Sequence, residues 1–441
     1  MDSQLWADTH CAASWQFDAN ARIAWRRARA KSLLDDKQRF SQRHGCGFKY
    51  VVHCHTGIEF LSAEEVISAP GCSDVQALSS KILFSFTPGP ETHSLLLLRS
   101  AGMLALLCWA APTPPMPGES GAHEESGPPP CETADAVPMS TVSLLWLSRL
   151  EDLLMEHVLP TLRPVAASWC ANVGHGLSAQ IRFRATGRRS GARSKRCVSS
   201  VQIAARLGEV IAREMHADGW RVDLHAYDLE VVLHWTDDHV VLEIPISNRR
   251  GETALGERAY LCGALNGTIG WSLARLASLQ PGWTVVDPMA GKGGLILEAW
   301  LECPTAHYIG LEIEKAQLEA AEQNTALAAS FAAADAHGGI AWIHADATRL
   351  PLAGGSVDAV LSDMPFGRRH QKLHELPRLY AAVLGEIRRI LKVGGVVVLL
   401  TTHKTMLSKM VAAEPRCWRP SARHEVQLGS LKPFALVFSR V

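Results

Sequence analysis

Residues 362–369 read SDMPFGRR and follow directly on the apolar run AVL. Asp363 supplies a carboxylate, and the Met364 carbonyl is a second acceptor. Pro365 fixes its own φ and biases Met364 towards extended backbone, which stiffens that acceptor. Phe366 offers a flat face. Two acceptors and a ring suit an exocyclic amino group on a flipped-out, stacked base. An aromatic amine delocalises its lone pair into its ring. Acceptors that hold both protons out of plane favour the tetrahedral, nucleophilic form, which can attack an electron-poor methyl such as that of a sulfonium. Positioning and electrostatics then do most of the catalysis, with Asp363 placed to take the proton afterwards. The plainer alternative is an Asp–Pro turn closing a strand.

A second stretch, VVDPMAGKGG (285–294), ends an apolar strand in a glycine-rich turn: Asp287, then Gly291, Gly293 and Gly294. Glycines there let backbone approach a ligand and enter a helix tightly. A phosphate-binding P-loop is excluded by spacing, because the position five residues before the Gly–Lys pair is Val286. A helix N-terminus with free N–H groups suits the carboxylate of a methionine moiety. Glu312, at the tip of AHYIGLE, can accept from ribose hydroxyls, and Asp346, after GIAWIHA, can meet an adenine edge. Singly, each is a polar strand end facing solvent. Together they occupy successive strand tips, where ligands of such sheets bind.

Five apolar runs position these residues: TVVDP, AHYIGLE, GIAWIHA, VDAVLS and VVVLLTT, separated by helical segments. That alternation predicts a parallel, doubly wound sheet. The segment ARHEVQLGSLKPFALVFSRV then predicts a hairpin turning at Gly429–Ser430. Five parallel strands and a closing hairpin are the layout of class I methyltransferases, whereas dinucleotide-binding dehydrogenases continue with another helical crossover.

Upstream, residues 1–45 are basic with a helical pattern, and 46–110 predict a small α/β unit: strands at FKYVVHC, SKILFSF and MLALLCW, helices at IEFLSAEEVI and SLLLLRSAG. Residues 111–140, rich in Pro, Gly and Glu, cannot bury apolar surface and predict a disordered insertion. From 141 to 250 the pattern gives a helix, the strand AQIRFRAT with outward arginines, a basic loop GRRSGARSKR, an amphipathic helix, and two strands turning at Asp237–Asp238. Arg182, Arg184, Arg188, Arg189, Arg193, Lys195 and Arg196 cluster there with no acid between them, a set that can neutralise phosphates.

The 441 residues fit two to three domains, and an apolar content of 47% excludes wholesale disorder. The formal net charge is zero, so attraction to nucleic acid has to come from local patches. Eleven scattered cysteines without a CxxC pair predict reduced thiols and no structural metal. The mixed, acidic start MDSQLWADTH is unlike a signal peptide, and the apolar stretch 95–111 is short for a membrane span and contains Arg99.

The DMPF stretch resembles the D/N-P-P-F/Y signature of amino-group methyltransferases, with Met364 in place of the first proline. VVDPMAGKGG resembles the DPMCGSG-type cofactor loop of RNA guanine-N2 methyltransferases. Residues 181–247 resemble a THUMP RNA-binding domain, and 48–110 the ferredoxin-like unit that precedes it. The chain thus resembles the THUMP-domain RNA guanine-N2 methyltransferase family from about 48 to 441, outside the insertion. The resemblance implies an α/β fold: a class I, Rossmann-like methyltransferase domain (251–441) behind ferredoxin-like (46–110) and THUMP (141–250) domains. It implies S-adenosyl-L-methionine as cofactor, bound by Asp287, Gly291, Gly293, Glu312 and Asp346, with Asp363, Pro365 and Phe366 holding the base. It further implies structured RNA as substrate, U6 small nuclear RNA for the most similar subtype and tRNA for its sister types, hence a nuclear or else cytoplasmic location. A small zinc-binding activator of the Trm-112 type is implied as partner, and the apolar edge of the third strand, with Ile340 and Trp342, is a place for it. Ala290, Lys292 and Gly294 depart from the family's loop and leave reduced activity open. An adenine amino group or a protein glutamine amide would suit the same motif, although the RNA-holding half counts against the protein. A non-catalytic RNA-binding protein with a degenerate loop is the reading from another class.

Overall fold

The computed structural model describes residues 50–87, 98–100, 102–114, 139–173, 180–246, 265–329, 339–365, 374–428 and 431–441. The expectations for 1–45, for 115–138 of the insertion, for Phe366 and for the Gly429–Ser430 turn lie outside them. So do the side chains of Arg193 and Arg196.

The first half is organised by one mixed sheet. Its strands are β1 (Tyr50–His53), β2 (Cys72–Leu78), β3 (Lys81–Phe86), β4 (Met103–Pro112), β5 (Ile181–Arg189), β6 (Trp220–Val222), β7 (Leu229–Trp235) and β8 (His239–Pro245). They lie in the order β2-β3-β1-β4-β8-β7-β5-β6. The ferredoxin-like and THUMP-like stretches therefore share a sheet. Their seam is the antiparallel pairing of β4 with β8, from Ala105 opposite Pro245 to Pro112 opposite His239, with a bulge between Leu107 and Trp109. On one face α1 (Glu59–Ser68), α2 (Met139–Leu153), α3 (Leu159–Val173) and α5 (Ser200–Glu214) bury the apolar positions that alternate along the strands. A π-helical turn, Leu154–Val158, joins α2 to α3 just before Pro160, whose ring removes a backbone donor. Helix α5 starts in a capping box: Ser199 Oγ accepts from Gln202 N at 3.1 Å, and Gln202 Oε1 accepts from Ser199 N at 2.8 Å.

Two local expectations change, and one strand, β2, is added. GRRSGARSKR is not one loop: β5 runs on to Arg189 and Ala192–Cys197 form a short helix, α4. Leu98–Ser100 end in a turn and not in a helix, because the Arg99 and Ser100 backbone N–H groups bond to Glu65. Strand β2 carries no clear apolar alternation, and its pairing with β3 shifts register between Ser73 and Gln76.

The second half carries α6 (Gly267–Ala277), β9 (Thr284–Asp287), α7 (Gly294–Glu302), β10 (His307–Glu312), α8 (Lys315–Ala329), β11 (Ile340–His344), β12 (Val357–Asp363), α9 (Leu376–Ile390), β13 (Leu391–Thr401), α10 (Lys404–Ala413), β14 (Trp418–Glu425) and β15 (Phe434–Arg440). The strand order is β11-β10-β9-β12-β13-β15-β14. Strands β9 to β13 are parallel and the β14–β15 pair is antiparallel, as expected for a class I sheet. The order reverses between β10–β9 and β9–β12, which opens a crevice at the carboxyl ends of those strands. Among the described residues no helix is long and apolar enough to cross a membrane; the 103–112 part of the apolar stretch is β4.

Candidate active site

Asp287, Glu312, Asp346 and Asp363 all stand at or just past the carboxyl ends of β9, β10, β11 and β12. Asp287 is buried; its Oδ1 accepts from Met289 N at 3.0 Å and from Ser362 Oγ at 2.8 Å. Burial lifts its carboxyl to about 7; those two hydrogen bonds pull the other way, while the nearby acids Asp363 and Glu312 add to the rise. Asp363 is also raised to about 7, by burial. Its Oδ1 is enclosed and has no hydrogen-bond partner among the described residues. A buried carboxylate oxygen left without a donor is costly, which is consistent with the raised carboxyl.

The turn after Asp363 is held from both sides. Met364 N donates to the Leu400 carbonyl at 2.9 Å, and Tyr380 Oη donates to the Pro365 carbonyl at 3.1 Å while lying 2.9 Å from Thr401 Oγ1. The sequence reading does not single out Ser362, Tyr380 or Thr401: Ser362 adjoins Asp363, but Tyr380 and Thr401 lie in later elements and carry no local signal.

The glycine loop separates two roles. Gly293 (φ +82°) caps α7, and a Cβ there would lie 2.5 Å from the Trp342 ring. A Cβ on Gly310 would overlap the same ring. Trp342 therefore folds inward over the sheet, its Nε1 donating to Thr325 Oγ1 at 3.0 Å, and does not project from the edge as expected. Gly291 (φ +54°) faces open space, with no atom within 4 Å of a Cβ built on it. Room beside Gly291 and close packing beneath Gly293 fit a loop that cradles a ligand on one side only. Glu312 ties the crevice together: Oε2 accepts from Gly291 N at 2.9 Å, and Oε1 from Ile313 N at 2.9 Å and Glu314 N at 3.0 Å. Asp346 is exposed, and its Oδ1 is occupied by Thr348 N and Thr348 Oγ1, each at 2.8 Å.

The basic row is less free than its sequence suggests. Parallel pairing of β5 with β7 sets Arg184 opposite Glu230. Arg182 forks onto Asp228 (2.7 and 3.2 Å), and Arg184 lies 3.7 Å from Glu230 and over the Tyr227 ring. Arg189 donates to the Lys195 and Val198 carbonyls, so it caps α4. Arg188 sits close enough to the buried Lys81 and Glu243 to act on both, and Lys195 is exposed.

Residues 256–432 match the UPF0020 family, described as the RMKL-like methyltransferase domain. This stretch is a methyltransferase domain. The bovine U6 snRNA (guanine-N(2))-methyltransferase THUMPD2 is 35% identical over 51% of this chain and 41% of its own length. The bovine tRNA (guanine(6)-N(2))-methyltransferase THUMP3 is 29% identical over 59% of this chain and 51% of its own. The chain thus spans about half the length of the curated relatives it matches. The crystal structure of TrmN from Thermus thermophilus has a TM-score of 0.59 at 23% identity, covering 89% of this chain and 99% of that one. SMU.472, solved with SAH, covers 90% of this chain and 98% of its own at a TM-score of 0.55 and 14% identity. These likenesses show the fold and the methyltransferase domain, and the relatives are of the kind to which the DMPFG and glycine-loop motifs pointed.

Proposed function

We propose that the chain is an S-adenosyl-L-methionine-dependent RNA methyltransferase that forms N2-methylguanosine in structured RNA, U6 small nuclear RNA first and tRNA second. The observation that carries it is the enclosed Oδ1 of Asp363, without a donor among the described residues, at the tip of the strand next to the one that leads into the open Gly291 loop. The names of the guanine-N2 methylating relatives support guanine over adenine, and the SAH in a structure of the same fold supports the cofactor.

The residues fit the cofactor. Glu312 offers carboxylate lone pairs to ribose hydroxyls, Asp346 its second oxygen to an adenine edge, and Asp287 with the Gly291 side of the loop the methionine end. When bound, S-adenosylmethionine supplies an electron-poor methyl. Asp363 and the Met364 carbonyl then accept the two N–H bonds of the guanine amine and hold its lone pair out of conjugation. An Asp363 carboxyl at about 7 is matched to receiving the amine proton at neutral pH. Phe366 completes the reading as the stacking face.

A Trm-112-type activator is part of this proposal. β11, an edge of the sheet, reads IAWIH and carries no acidic, Lys, Arg or Pro residue, whereas the opposite edge, β14, has Pro420, a bulge and exposed Arg419 and Arg423. Charges, bulges and prolines are what keep an edge from pairing, so β11 is the edge fit for strand addition. U6 RNA as substrate places the enzyme in the nucleus, tRNA in the cytoplasm as well.

The test is methylation of U6 RNA and tRNA by the full chain, with and without co-expressed activator, read by mass spectrometry of a nucleoside digest. N2-methylguanosine in U6 RNA, increased by the activator, is expected. Methyladenosine alone, or no product and no heat of S-adenosylmethionine binding, overturns it.

A further inference from the structure

Two arginines join the RNA-side sheet to the helix that leaves the cofactor loop. Arg99, just before β4, donates through Nη2 to Glu298 Oε2 at 2.6 Å and to the Glu298 carbonyl at 2.7 Å, and through Nη1 to Glu302 Oε2 at 3.0 Å. Its backbone N–H donates to Glu65 of α1 at 2.7 Å. Arg275 of α6 bridges the same division: Nη2 to Glu64 Oε1 of α1 and Nη1 to Glu302 Oε1, both at 2.8 Å. Glu302 thus receives both guanidiniums. The side chains of Glu64 and Glu298 are 0% and 1% exposed, while Arg99, Arg275 and Glu302 are partly buried. Glu298 lies one turn into α7, whose first residue follows Gly293.

Ile58 and Leu61 are buried in the same core as Val285 and Leu295, so apolar contact also joins the halves. Apolar contact is non-directional and tolerates a small tilt. Hydrogen bonds from one planar guanidinium to two different carboxylates tolerate less, because each nitrogen must stay directed at its own acceptor. The latch therefore fixes the angle of the eight-stranded sheet, with β5 and its arginines, against the cofactor loop.

We propose that Arg99 and Arg275 are positioning residues that set the span between the RNA-holding sheet and Asp363, and thereby select which guanine of a structured RNA is methylated. This rests on the activity proposed above. A misplacement of about 1 Å can cost a hundredfold in rate, so a slight tilt matters.

The test compares full-length wild type, Arg275→Gln and Arg275→Lys. The measured quantity is kcat/KM on structured RNA divided by kcat/KM on a short, single-stranded, guanine-containing RNA. In Arg275→Gln this ratio is expected to fall roughly tenfold, with product spread over more than one guanine. The short-RNA rate and the Kd for S-adenosylmethionine stay within about twofold, the spread expected of a site remote from the change. Arg275→Lys, which keeps the cation, recovers part of the ratio. An unchanged ratio, or a parallel fall on both RNAs that tracks a lower Tm, overturns the latch. Small-angle scattering of RNA-free wild type and Arg275→Gln tests the latch independently of turnover. A broadened distance distribution supports the latch even where no methyl is transferred, an outcome that would count only against the activity. Identical distributions overturn the latch and leave the activity standing.

Discussion

Two of the places where this molecule buries charge are built differently. At the strand tips, Asp363 and Glu312 add to the rise of Asp287, and the Asp287 and Asp363 carboxyls are both lifted to about 7. Across β1, β3, β7 and β8 of the other sheet, signs are mixed. His53 Nε2 lies 2.8 Å from Glu243 Oε2, and Lys81 Nζ bonds His234 Nδ1. Burial pushes the Glu243 carboxyl up, but His53, Lys81 and Arg188 bring it below its ordinary value. Burial brings Lys81 down to about 8 in spite of Glu243. Among the described residues, the second assembly sets cations beside its carboxylate, whereas the first sets acid beside acid.

If that contrast is right, removing Glu243 costs stability and removing Asp363 costs chemistry. Glu243→Gln leaves the buried Lys81 without its anion, and about 3–5 kcal/mol of unfolding free energy should go, read by urea melts. The Kd for S-adenosylmethionine should not follow. A loss under 1 kcal/mol would mean that water reaches the seam. Asp363→Ala should lower kcat about a hundredfold, the scale for one oriented group at a reacting centre, at unchanged or raised Tm. Full turnover by this variant would remove Asp363 from the mechanism.

The pH dependences separate the two assemblies further. A raised carboxyl means that the folded state holds its proton between the unfolded value, near 4, and about 7, where the unfolded chain has released it. Asp363 therefore makes stability fall as pH rises through that window, and the difference between wild type and Asp363→Asn should show this slope. Lys81 does the reverse: the folded state has lost its proton by about 8 while the unfolded chain keeps it to 10.5, so its contribution to stability rises over that range. A Lys81→Met variant should lack that rise. In activity, kcat/KM should climb with pH and level off above about 7.

The parts of the fold legible in the sequence are those in which neighbours along the chain carry the information. β9, β12 and β13 are apolar runs because they lie inside a parallel sheet covered on both faces, and each of β9, β10 and β12 ends in an acid at its tip. β2 escaped because CSDVQAL alternates poorly. What was least legible is set by register between distant strands. Ser362 reaching Asp287 and Tyr380 reaching Pro365 span 75 and 15 residues, and no local pattern encodes them. The inward turn of Trp342 depends on Gly310 in the next strand, opposite it in register. Likewise, no acid interrupts the basic stretch 182–196, yet Asp228 and Glu230 stand beside it in space.

That last pairing gives the smallest effect and decides how RNA is held. An exposed arginine already paired to an acid gains little from a phosphate, since the acid must be given up or shared. Lys195 is exposed, whereas Arg182 is forked onto Asp228. If phosphates are neutralised by this surface, Lys195→Ala should weaken RNA binding a few-fold and reduce the slope of log K against log salt by about 0.7–0.9. Arg182→Ala should change the slope by less than half of that, because the variant loses a cation and simultaneously exposes the Asp228 carboxylate it had covered. Equal slopes for the two variants would show that the Arg182–Asp228 pair opens to RNA, and the basic row would then act as the continuous stripe its sequence suggests. Slopes unchanged in both would move the RNA-binding surface away from β5 and α4 altogether.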